Sequence, residues 1–279
     1  MRQVRGEQVP SYLHPLWQAR MQSFVVLPIL SSEHLSGILA LGYSTPPLLS
    51  SDDMFHMRQV ADQIAVALAN AGLIEELELL STGTLTALAR AIDAKSPWTA
   101  GHSERVTNMA IEIGRAMGLP PAELKILHRG GLLHDIGKIG ISAMVLDKPG
   151  KLTPEEFNQM KGHVGLGARI LEPISGFADL LPIVLYHHER YDGTGYPEGL
   201  AGEKIPLHAR IFAVADVYDA LISDRPYRPG MPHDQVLNFL REKAGSQFDP
   251  KIVEVALKLL SEEVSRAELD TAPELVSVG

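Results

Sequence analysis

The chain has 279 residues, of which 45% are hydrophobic and 21% are charged, and its formal net charge is −9. The lack of cysteine excludes disulfides, thiolate nucleophiles and cysteine-based zinc sites, so any metal must be held by His, Asp, Glu, carbonyls or water. The negative charge argues against a binding surface for nucleic-acid polymers, which usually shows a basic stripe. Apolar runs such as residues 24–30 are too short to span a bilayer, and no signal-peptide pattern follows Met1, so we expect a cytoplasmic protein.

The first 80 residues predict a small α+β segment that leads into a long helix. Two strands are predicted at Met21–Leu30 and Gly37–Tyr43, joined by a polar turn as in a hairpin. Ser50–Asp53 offers a helix N-cap with acidic residues in the first turn. The apolar spacing that follows favours either a parallel partner helix, in a homodimer through residues 53–80, or core packing alone. The apolar positions are Val60, Ile64, Ala67, Ala71 and Ile74.

From Thr84 to about Arg266 the pattern predicts a nearly all-helical domain, divided by glycine- and proline-rich breaks. Gly72 and the step at 81–83 leave open whether the preceding helix continues unbroken into this domain. The last residues look like a loose tail. The expected parts are therefore residues 1–75, residues 82–266 and a tail at residues 267–279.

Histidine and aspartate side chains carry the chemical signal, beginning with His102 and the pair His134–Asp135. His102 shares a predicted helix face with Val106 and should point to the core, where a histidine is more often a hydrogen-bonded core residue than a metal ligand. Asp135 lies at the end of a predicted apolar helix, Ala122–Gly137, where an unpaired buried carboxylate costs on the order of several kcal/mol. A divalent cation would offset that cost, and the neighbouring imidazole would complete a pair of ligands.

Three more histidines and a second aspartate extend this pattern. His163 is predicted to open a helix, and His187 and His188 close a strongly apolar run. Asp216 is a carboxylate within another apolar helix. Asp219, one turn later, has less apolar surroundings and is interpreted either as a hydrogen-bonding partner of a ligand or as a helix-surface residue.

The number of these candidates bears on the number of ions. Five imidazoles and two carboxylates exceed the needs of one tetrahedral ion, which takes about four ligands, and suit two octahedral ions that share a carboxylate and a water. Nitrogen and oxygen ligands without thiolate fit Fe or Mn, with Zn or Ni as alternatives. A pair of ions about 3.5–4 Å apart polarises a phosphoryl oxygen and makes hydroxide available near neutral pH. The predicted chemistry is therefore phosphoester hydrolysis.

Two longer motifs resemble those of a known family. His134-Asp135-Ile136-Gly137-Lys138 resembles the HD motif of the HD-superfamily phosphohydrolases, and residues 187–197, HHERYDGTGYP, resemble the motif that names the HD-GYP subfamily. Segments around His102, His163 and Asp216 match further family blocks in the same order, so the resemblance covers about residues 82–260. It implies a mainly α fold, an HD-type multi-helix bundle, preceded by a small N-terminal α+β segment and a helical linker.

The resemblance implies a phosphodiesterase that hydrolyses cyclic di-GMP to the linear dinucleotide, to GMP or to both, by attack of a hydroxide that bridges two metal ions. Asp135 would be the bridging carboxylate, and Lys138 would contact the scissile phosphate. Arg225 and Arg228 fall where the family has cationic contacts to substrate phosphate, although surface solvation alone would also explain them. The metal ligands that follow by position are His102, His134, Asp135, His163, His187, His188 and Asp216.

Two further features refine this expectation. Family members with three metals carry Glu one turn before the first histidine, where this chain has Trp98, so a two-metal centre is expected. The loop with Gly193, Gly195, Tyr196 and Pro197 would lie beside the active site, either as a contact for a GGDEF-domain protein or as a rigid lid without a partner.

Residues 1–75 resemble the second half of a GAF sensor domain that ends in a linker helix. About half of such a fold would be missing upstream, so the resemblance does not imply ligand sensing by these residues.

Two other functions stay open at this point. One is an HD hydrolase for another phosphoester, such as a hybrid cyclic dinucleotide. The other is a catalytically silent module that binds a cyclic dinucleotide and signals through the Tyr196 loop and the helical linker. The complete set of ligands argues against the silent module, because a degenerate member should lose ligands first.

Overall fold

The computed structural model describes residues 10–31, 34–96, 99–224 and 229–271, with side chains described as far as residue 262. The chain divides into two compact units, residues 1–81 and 82–279. The described elements are, in chain order, α1 (His14–Gln18), β1 (Ser23–Ser31), β2 (His34–Tyr43), α2 (Ser51–Asp93), α3 (His102–Ala116), α4 (Pro121–Leu133), α5 (Ala143–Leu146), α6 (Pro154–Leu171), α7 (Leu181–Tyr186), α8 (Leu207–Ile222), α9 (His233–Lys243) and α10 (Pro250–Thr271). Short 3-10 turns lie at Ser11–Leu13, Ile136–Gly140, Ser175–Leu180 and Gly202–Lys204.

The first unit is built on the predicted hairpin. β1 and β2 pair antiparallel, with Val25 opposite Leu41 and Leu27 opposite Leu39. Because side chains alternate between the two faces of a strand, Val25 and Leu27 point to the same side, where they pack with Ala61 of α2. The strands therefore occupy the predicted positions, with ends that differ by at most three residues.

Helix α2 continues without a break past both glycines that made its continuity doubtful. At Gly72 and Gly83 an added Cβ would meet nothing within 4 Å. An exposed glycine of this kind costs a helix about 1 kcal/mol relative to alanine but does not end it. The first part of α2 leaves large apolar side chains in solvent, among them Leu73 at 58%, Leu77 at 64% and Leu80 at 65% exposure.

The second unit is a bundle of helices around one main core. Ile113 of α3, Leu127 of α4, Ile183 of α7, Phe212 of α8 and Leu240 of α9 are buried in this core, together with residues from α10. A smaller cluster joins the last turns of α2 to the ends of α4, α6 and α7; its members include Leu85, Ala89, Leu133, Leu171 and Val184. The mainly α architecture expected from the sequence is thus confirmed.

Three helix boundaries differ from the sequence prediction. Helix α4 ends at Leu133, so the segment predicted as Ala122–Gly137 is a helix followed by a 3-10 turn. Helix α6 begins at Pro154 behind a capping box, in which Thr153 accepts from the Glu156 amide and the Glu156 carboxylate accepts from the Thr153 amide. His163 therefore lies in the middle of α6 and does not open it. Helix α10 extends to Thr271, into the predicted tail.

Among the described residues, no helix combines the length and apolarity that crossing a membrane would require.

Candidate metal centre

Asp135 stands where helix α4 gives way to the 3-10 turn, and it is 4% exposed. The turn brings Asp135 against the middle of α6, because Gly137 packs directly on the α6 backbone. A Cβ at Gly137 would lie 1.9 Å from the His163 carbonyl oxygen and 2.6 Å from the Gly167 amide nitrogen. Only glycine permits this approach, and it is the approach that places Asp135 beside His163.

Three buried histidines share one hydrogen-bonding arrangement. Nδ1 of His134 lies 2.7 Å from the Gly131 carbonyl oxygen, and Nδ1 of His163 lies 2.6 Å from the Met160 carbonyl oxygen. Nδ1 of His187 contacts the carbonyl oxygens of Ile183 and Val184 at 3.0 and 3.1 Å. A carbonyl oxygen only accepts, so Nδ1 carries a proton in each ring, and the neutral ring then presents a lone pair on Nε2.

The three Nε2 atoms point to a common region in which none of them has a hydrogen-bond partner. Nε2 of His134, of His163 and of His187 are buried without a hydrogen-bond partner, as is Oδ1 of Asp135. Nε2 of His134 lies 3.1 Å from Asp135 Oδ2, and Nε2 of His163 lies 3.3 Å from Asp135 Oδ1. Each of these atoms accepts, and acceptors that meet in the interior call for a cation between them. Two ligand atoms about 2.1 Å from one ion, at right angles, lie about 3 Å apart, so the spacing suits a metal.

The atoms that could bind a metal ion form two groups, and Asp135 belongs to both. One group joins Asp135 with His163, His187 and His188, and the other joins Asp135 with His102 and His134. Within each group the candidate ligand atoms all lie within 4.8 Å of one another. The residues present therefore fit the binding of divalent metal ions.

The pKa shifts in this cluster favour the protonation states that bind a cation. Burial lowers the pKa of His163 and brings the pKa of His188 down to about 4. Burial, helped by the neighbouring His188, lowers the pKa of His187 well below its usual value. Burial would raise the pKa of Asp135, but its interactions with His134 and with the Lys138 ammonium outweigh burial and lower that pKa well below its usual value. Neutral imidazoles next to an ionised carboxylate are the forms that bind metals.

His102 differs from the other histidines because it lies between two carboxylates of α8. Its Nε2 is 3.2 Å from Asp216 Oδ1, and its Nδ1 is 2.7 Å from Asp219 Oδ2. Asp219 also accepts from Arg105, at 2.6 Å from Nε and 3.0 Å from Nη2. Burial would lower the pKa of His102, but the bonds to Asp216 and Asp219 outweigh it and raise the pKa to about 9.

A cavity of about 300 Å³ opens beside the histidine cluster. His188 and Tyr196 line it with their rings 4.9 Å apart, and Phe157, Lys161 and Gln247 line it as well. Burial raises the pKa of the Tyr196 phenol, which therefore stays neutral and able to donate a hydrogen bond.

The loop that carries Tyr196 is folded tightly on its own beginning. A Cβ at Gly195 would lie 2.4 Å from the Arg190 amide nitrogen and 2.6 Å from Glu189 Cα. Glu189 is 3% exposed, and its Oε1 accepts from the amides of Glu198 at 2.8 Å and Gly199 at 3.0 Å. The loop is thus held as a fixed wall of the cavity.

The structure gathers the seven sequence-predicted ligands in one place. Six belong to the two groups that share Asp135, and Asp216 joins them through His102. Lys138 is also present, with its ammonium paired to Asp135. Asp219 is buried at 5% exposure and bonded to His102, so it is not a helix-surface residue. The predicted Arg225 and Arg228, and the Trp98 position, lie outside the described residues.

Sequence reasoning missed several residues that support the site. Arg105, which holds Asp219, and Glu189, which holds the Tyr196 loop, were not singled out. Arg105 lies three residues after His102, but its partner Asp219 lies 114 positions further on, so no local pattern indicates its role. Glu189 directly follows the two histidines, but its partners lie nine and ten residues further on, and no local pattern indicates them.

Comparison with protein families gives two matches. The HD-domain profile matches residues 86–252, more than half of the chain, and a GAF-domain profile matches residues 3–68.

Two curated relatives and one solved structure show how far the similarity extends. The chain is 43% identical over 185 residues to "3'3'-cGAMP-specific phosphodiesterase 3" of Vibrio cholerae, covering 65% of this chain and 40% of that protein. It is 44% identical over 187 residues to the cyclic di-GMP phosphodiesterase response regulator RpfG of Xanthomonas campestris, covering 66% of this chain and 50% of that protein. The chain thus spans half or less of these relatives. A structure of an HDG"Y"P protein from Bdellovibrio bacteriovorus shares the fold, with a TM-score of 0.50 at 24% identity over 60% of this chain and 53% of that one. The chain therefore belongs to the HD-domain family.

Proposed function

We propose that this chain is a metal-dependent phosphodiesterase that hydrolyses cyclic di-GMP to the linear dinucleotide, to GMP or to both. The observation that carries the proposal is the set of buried, unpartnered acceptor atoms on His134, Asp135, His163 and His187. Relatives that share this region at 43% and 44% identity are named as phosphodiesterases of cyclic dinucleotides. The donor set without thiolate suits Fe or Mn, with Zn or Ni as alternatives.

In this proposal two divalent ions are held by the seven predicted side chains, with Asp135 shared between them. When bound, such ions supply Lewis-acid polarisation of a phosphoryl oxygen and a hydroxide nucleophile near neutral pH. The ligands are His102, His134, Asp135, His163, His187, His188 and Asp216.

The other residues of the site bind and orient the substrate. Lys138 is 20% exposed and paired with Asp135, so its ammonium is held at the edge of the cluster, where it can take a non-bridging phosphate oxygen. Tyr196, as a neutral phenol in the cavity wall, can donate to a substrate oxygen. Arg225 and Arg228 are proposed as further phosphate contacts, on the strength of their sequence positions alone.

A hybrid cyclic dinucleotide is the second candidate substrate. The relative named for 3'3'-cGAMP and the relative named for cyclic di-GMP are nearly equal in identity to this chain. Turnover of both nucleotides should be compared, with Mn²⁺ or Fe²⁺ supplied, and the ratio of kcat/KM gives the preference.

The direct test of the proposal is Asp135→Ala. Because this carboxylate belongs to both groups of donor atoms, the variant should lose bound metal and turnover together while its helical circular dichroism is retained. Asp179→Ala, at an exposed position, serves as the matched control. Hydrolysis retained in Asp135→Ala would refute the assignment. Wild-type protein that is loaded with metal and binds cyclic di-GMP but releases no product would instead favour the silent binding module.

Two partners are proposed with the enzyme. The exposed apolar residues between 53 and 80 of α2 suit a parallel homodimer, which analytical ultracentrifugation would detect and which Leu77→Glu should weaken.

The wall formed by Gly195, Tyr196 and Pro197 suits contact with a GGDEF-domain protein, and binding lost on substitution of the exposed Pro197 would support that contact.

The proposed organisation is a partial GAF-like segment with its linker helix at residues 1–75, the phosphohydrolase domain at residues 82–266, and a terminal segment at residues 267–279.

A further inference from the structure

Lys95 makes an unusual set of contacts just after the end of α2. Its ammonium donates to the carbonyl oxygens of Lys138 at 2.8 Å, Ile139 at 2.6 Å and Ile141 at 2.6 Å. An ammonium has three N–H donors, so all three are used on this one short stretch of backbone. A lysine that serves only to solvate a surface leaves its ammonium in water.

The stretch that Lys95 holds is the end of the turn that carries the reactive side chains. The turn begins at Asp135, whose carbonyl oxygen accepts from the Lys138 amide at 2.9 Å. The last carbonyls of a helical turn keep unused acceptor capacity, and a cation is a favoured partner at that end. Lys95 supplies that cation and fixes the backbone from which the Lys138 side chain projects.

The same segment also holds the start of helix α3. Asp93 is 4% exposed, and its carboxylate accepts from the Ser103 amide at 3.1 Å and from the Ser103 hydroxyl at 2.7 Å. His102 is the first residue of α3 and the immediate neighbour of Ser103. Residues 93–95 thus contact the backbone beside Lys138 and the backbone beside His102, which lie on separate elements.

We infer that Lys95 is a positioning residue for the phosphodiester reaction, acting through the turn that presents Lys138, with Asp93 acting in the same way on the start of α3. This inference rests on the proposed function. It extends that function to a segment that contains none of the proposed ligands or substrate contacts.

A double-mutant cycle tests whether Lys95 acts through Lys138. Lys95→Met should lower kcat on cyclic di-GMP about tenfold at saturating Mn²⁺, with KM changed less, because a misplaced group weakens the transition state more than ground-state binding. In a Lys138→Met background the same substitution should cost less than twofold. An equal loss in both backgrounds, or no loss in the wild-type background, would overturn the inference. Lys258→Met, at an exposed position on α10, is the matched control.

A second readout needs neither metal nor substrate. The Ile141 amide donates to the Lys138 carbonyl oxygen at 3.1 Å, in the stretch that Lys95 holds. In metal-free protein, hydrogen exchange at residues 138–141 should be faster in Lys95→Met than in wild type, and exchange in α9 should be unchanged. Unchanged exchange at residues 138–141 would contradict the inference.

If Lys95→Met does not fold, Lys95→Gln, which retains an amide donor, is carried through both measurements. Failure of metal-loaded wild-type protein to hydrolyse cyclic di-GMP would refute the proposed function, and with it the link to this reaction, whereas the exchange result would still decide whether Lys95 holds the turn that presents Lys138.

Discussion

Most buried histidines of the site have a hydrogen-bond partner that fixes their orientation, and at His102 the partners also fix the charge of the ring. The bonds to Asp216 and Asp219 outweigh burial and raise the pKa of His102 to about 9, so the imidazole is protonated at pH 7.5 in the metal-free protein. A histidine must be neutral to bind a metal, and this proton therefore leaves when metal binds. The other buried histidines with a shifted pKa, His163, His187 and His188, are already neutral, because burial lowers their pKa.

Asp219→Asn should reduce the number of protons that metal binding releases at pH 7.5. The substitution removes one of the two carboxylates that raise the pKa of His102, so more of the metal-free protein already has a neutral imidazole. Calorimetric titration with Mn²⁺ in two buffers of different ionisation enthalpy measures the released protons. Asp234→Asn, an exposed carboxylate of α9, should release as many as wild type. Equal release from the Asp219→Asn protein would show that Asp219 does not set the charge of His102 at this pH.

At this scale the sequence indicated the ligand types well and their supporting partners poorly. Buried histidines and aspartates stand out because charged groups seldom lie in apolar helices without a compensating partner. Lys95 and Arg105 act on residues 43 and 114 positions away, and no helical or strand period relates such positions. Their roles become visible only when the three-dimensional fold brings those segments together.

Among the elements, the close contact between the 3-10 turn and α6 is the feature on which the site geometry depends most. Gly137→Ala should lower metal affinity strongly and destabilise the fold by about 1–3 kcal/mol, because its Cβ would overlap the His163 carbonyl oxygen and force the two backbones apart. Thermal unfolding and metal analysis measure these two effects. Gly162→Ala is the control. Gly162 lies in α6, where an added Cβ meets nothing within 4 Å, so the substitution should leave the stability of the fold unchanged or raise it by up to about 1 kcal/mol. A Gly137→Ala protein that keeps wild-type metal content would show that the contact between Gly137 and α6 does not determine the geometry of the metal site.

The Tyr196 loop contains none of the proposed metal ligands, so a change in this loop should affect turnover without affecting metal content. Gly195→Ala should reduce kcat/KM for cyclic di-GMP at least about tenfold while the metal content stays at the wild-type level, because the added methyl group meets the backbone of Glu189 and Arg190 and displaces Tyr196 from the cavity wall. Gly176→Ala, which meets nothing within 4 Å, should leave turnover unchanged. Loss of metal in Gly195→Ala would instead mean that the loop supports the histidines directly.

Element types were largely predictable, whereas element ends were not. The sequence did not indicate where α4, the helix that carries His128, ends. Helix α4 changes to a 3-10 turn where Gly137 packs on α6, and this contact joins segments that are distant in the chain. The start of α6 was marked by a capping box at Thr153–Glu156, a local signal that the sequence does contain. Long-range packing thus decided the first boundary and local chemistry the second.

For the whole molecule, the division into two units means that metal should stabilise one of them. The proposed ligands all lie within residues 82–279, and none lies in residues 1–81. Without metal, the second unit keeps buried acceptor atoms that have no hydrogen-bond partner, and their desolvation is uncompensated. A ligand that binds only the folded state adds about 2.7 kcal/mol of stability at one hundred times its Kd.

Removing the metal with a chelator should therefore lower the Tm of the second unit by about 5–10 °C, since about 1 kcal/mol moves the Tm of a domain of this size by about 2–4 °C. Differential scanning calorimetry should show this shift in one transition, and the transition of the first unit should stay where it is. Re-addition of Mn²⁺ should restore the lost stability in wild type and leave the Asp135→Ala protein unchanged, because that variant lacks the carboxylate common to both groups of donors. A shift of equal size in both proteins would mean that the stabilising metal binds elsewhere in the chain. No shift in the wild type would mean that the buried acceptors are satisfied without an ion, and the proposed chemistry would then lose its physical basis.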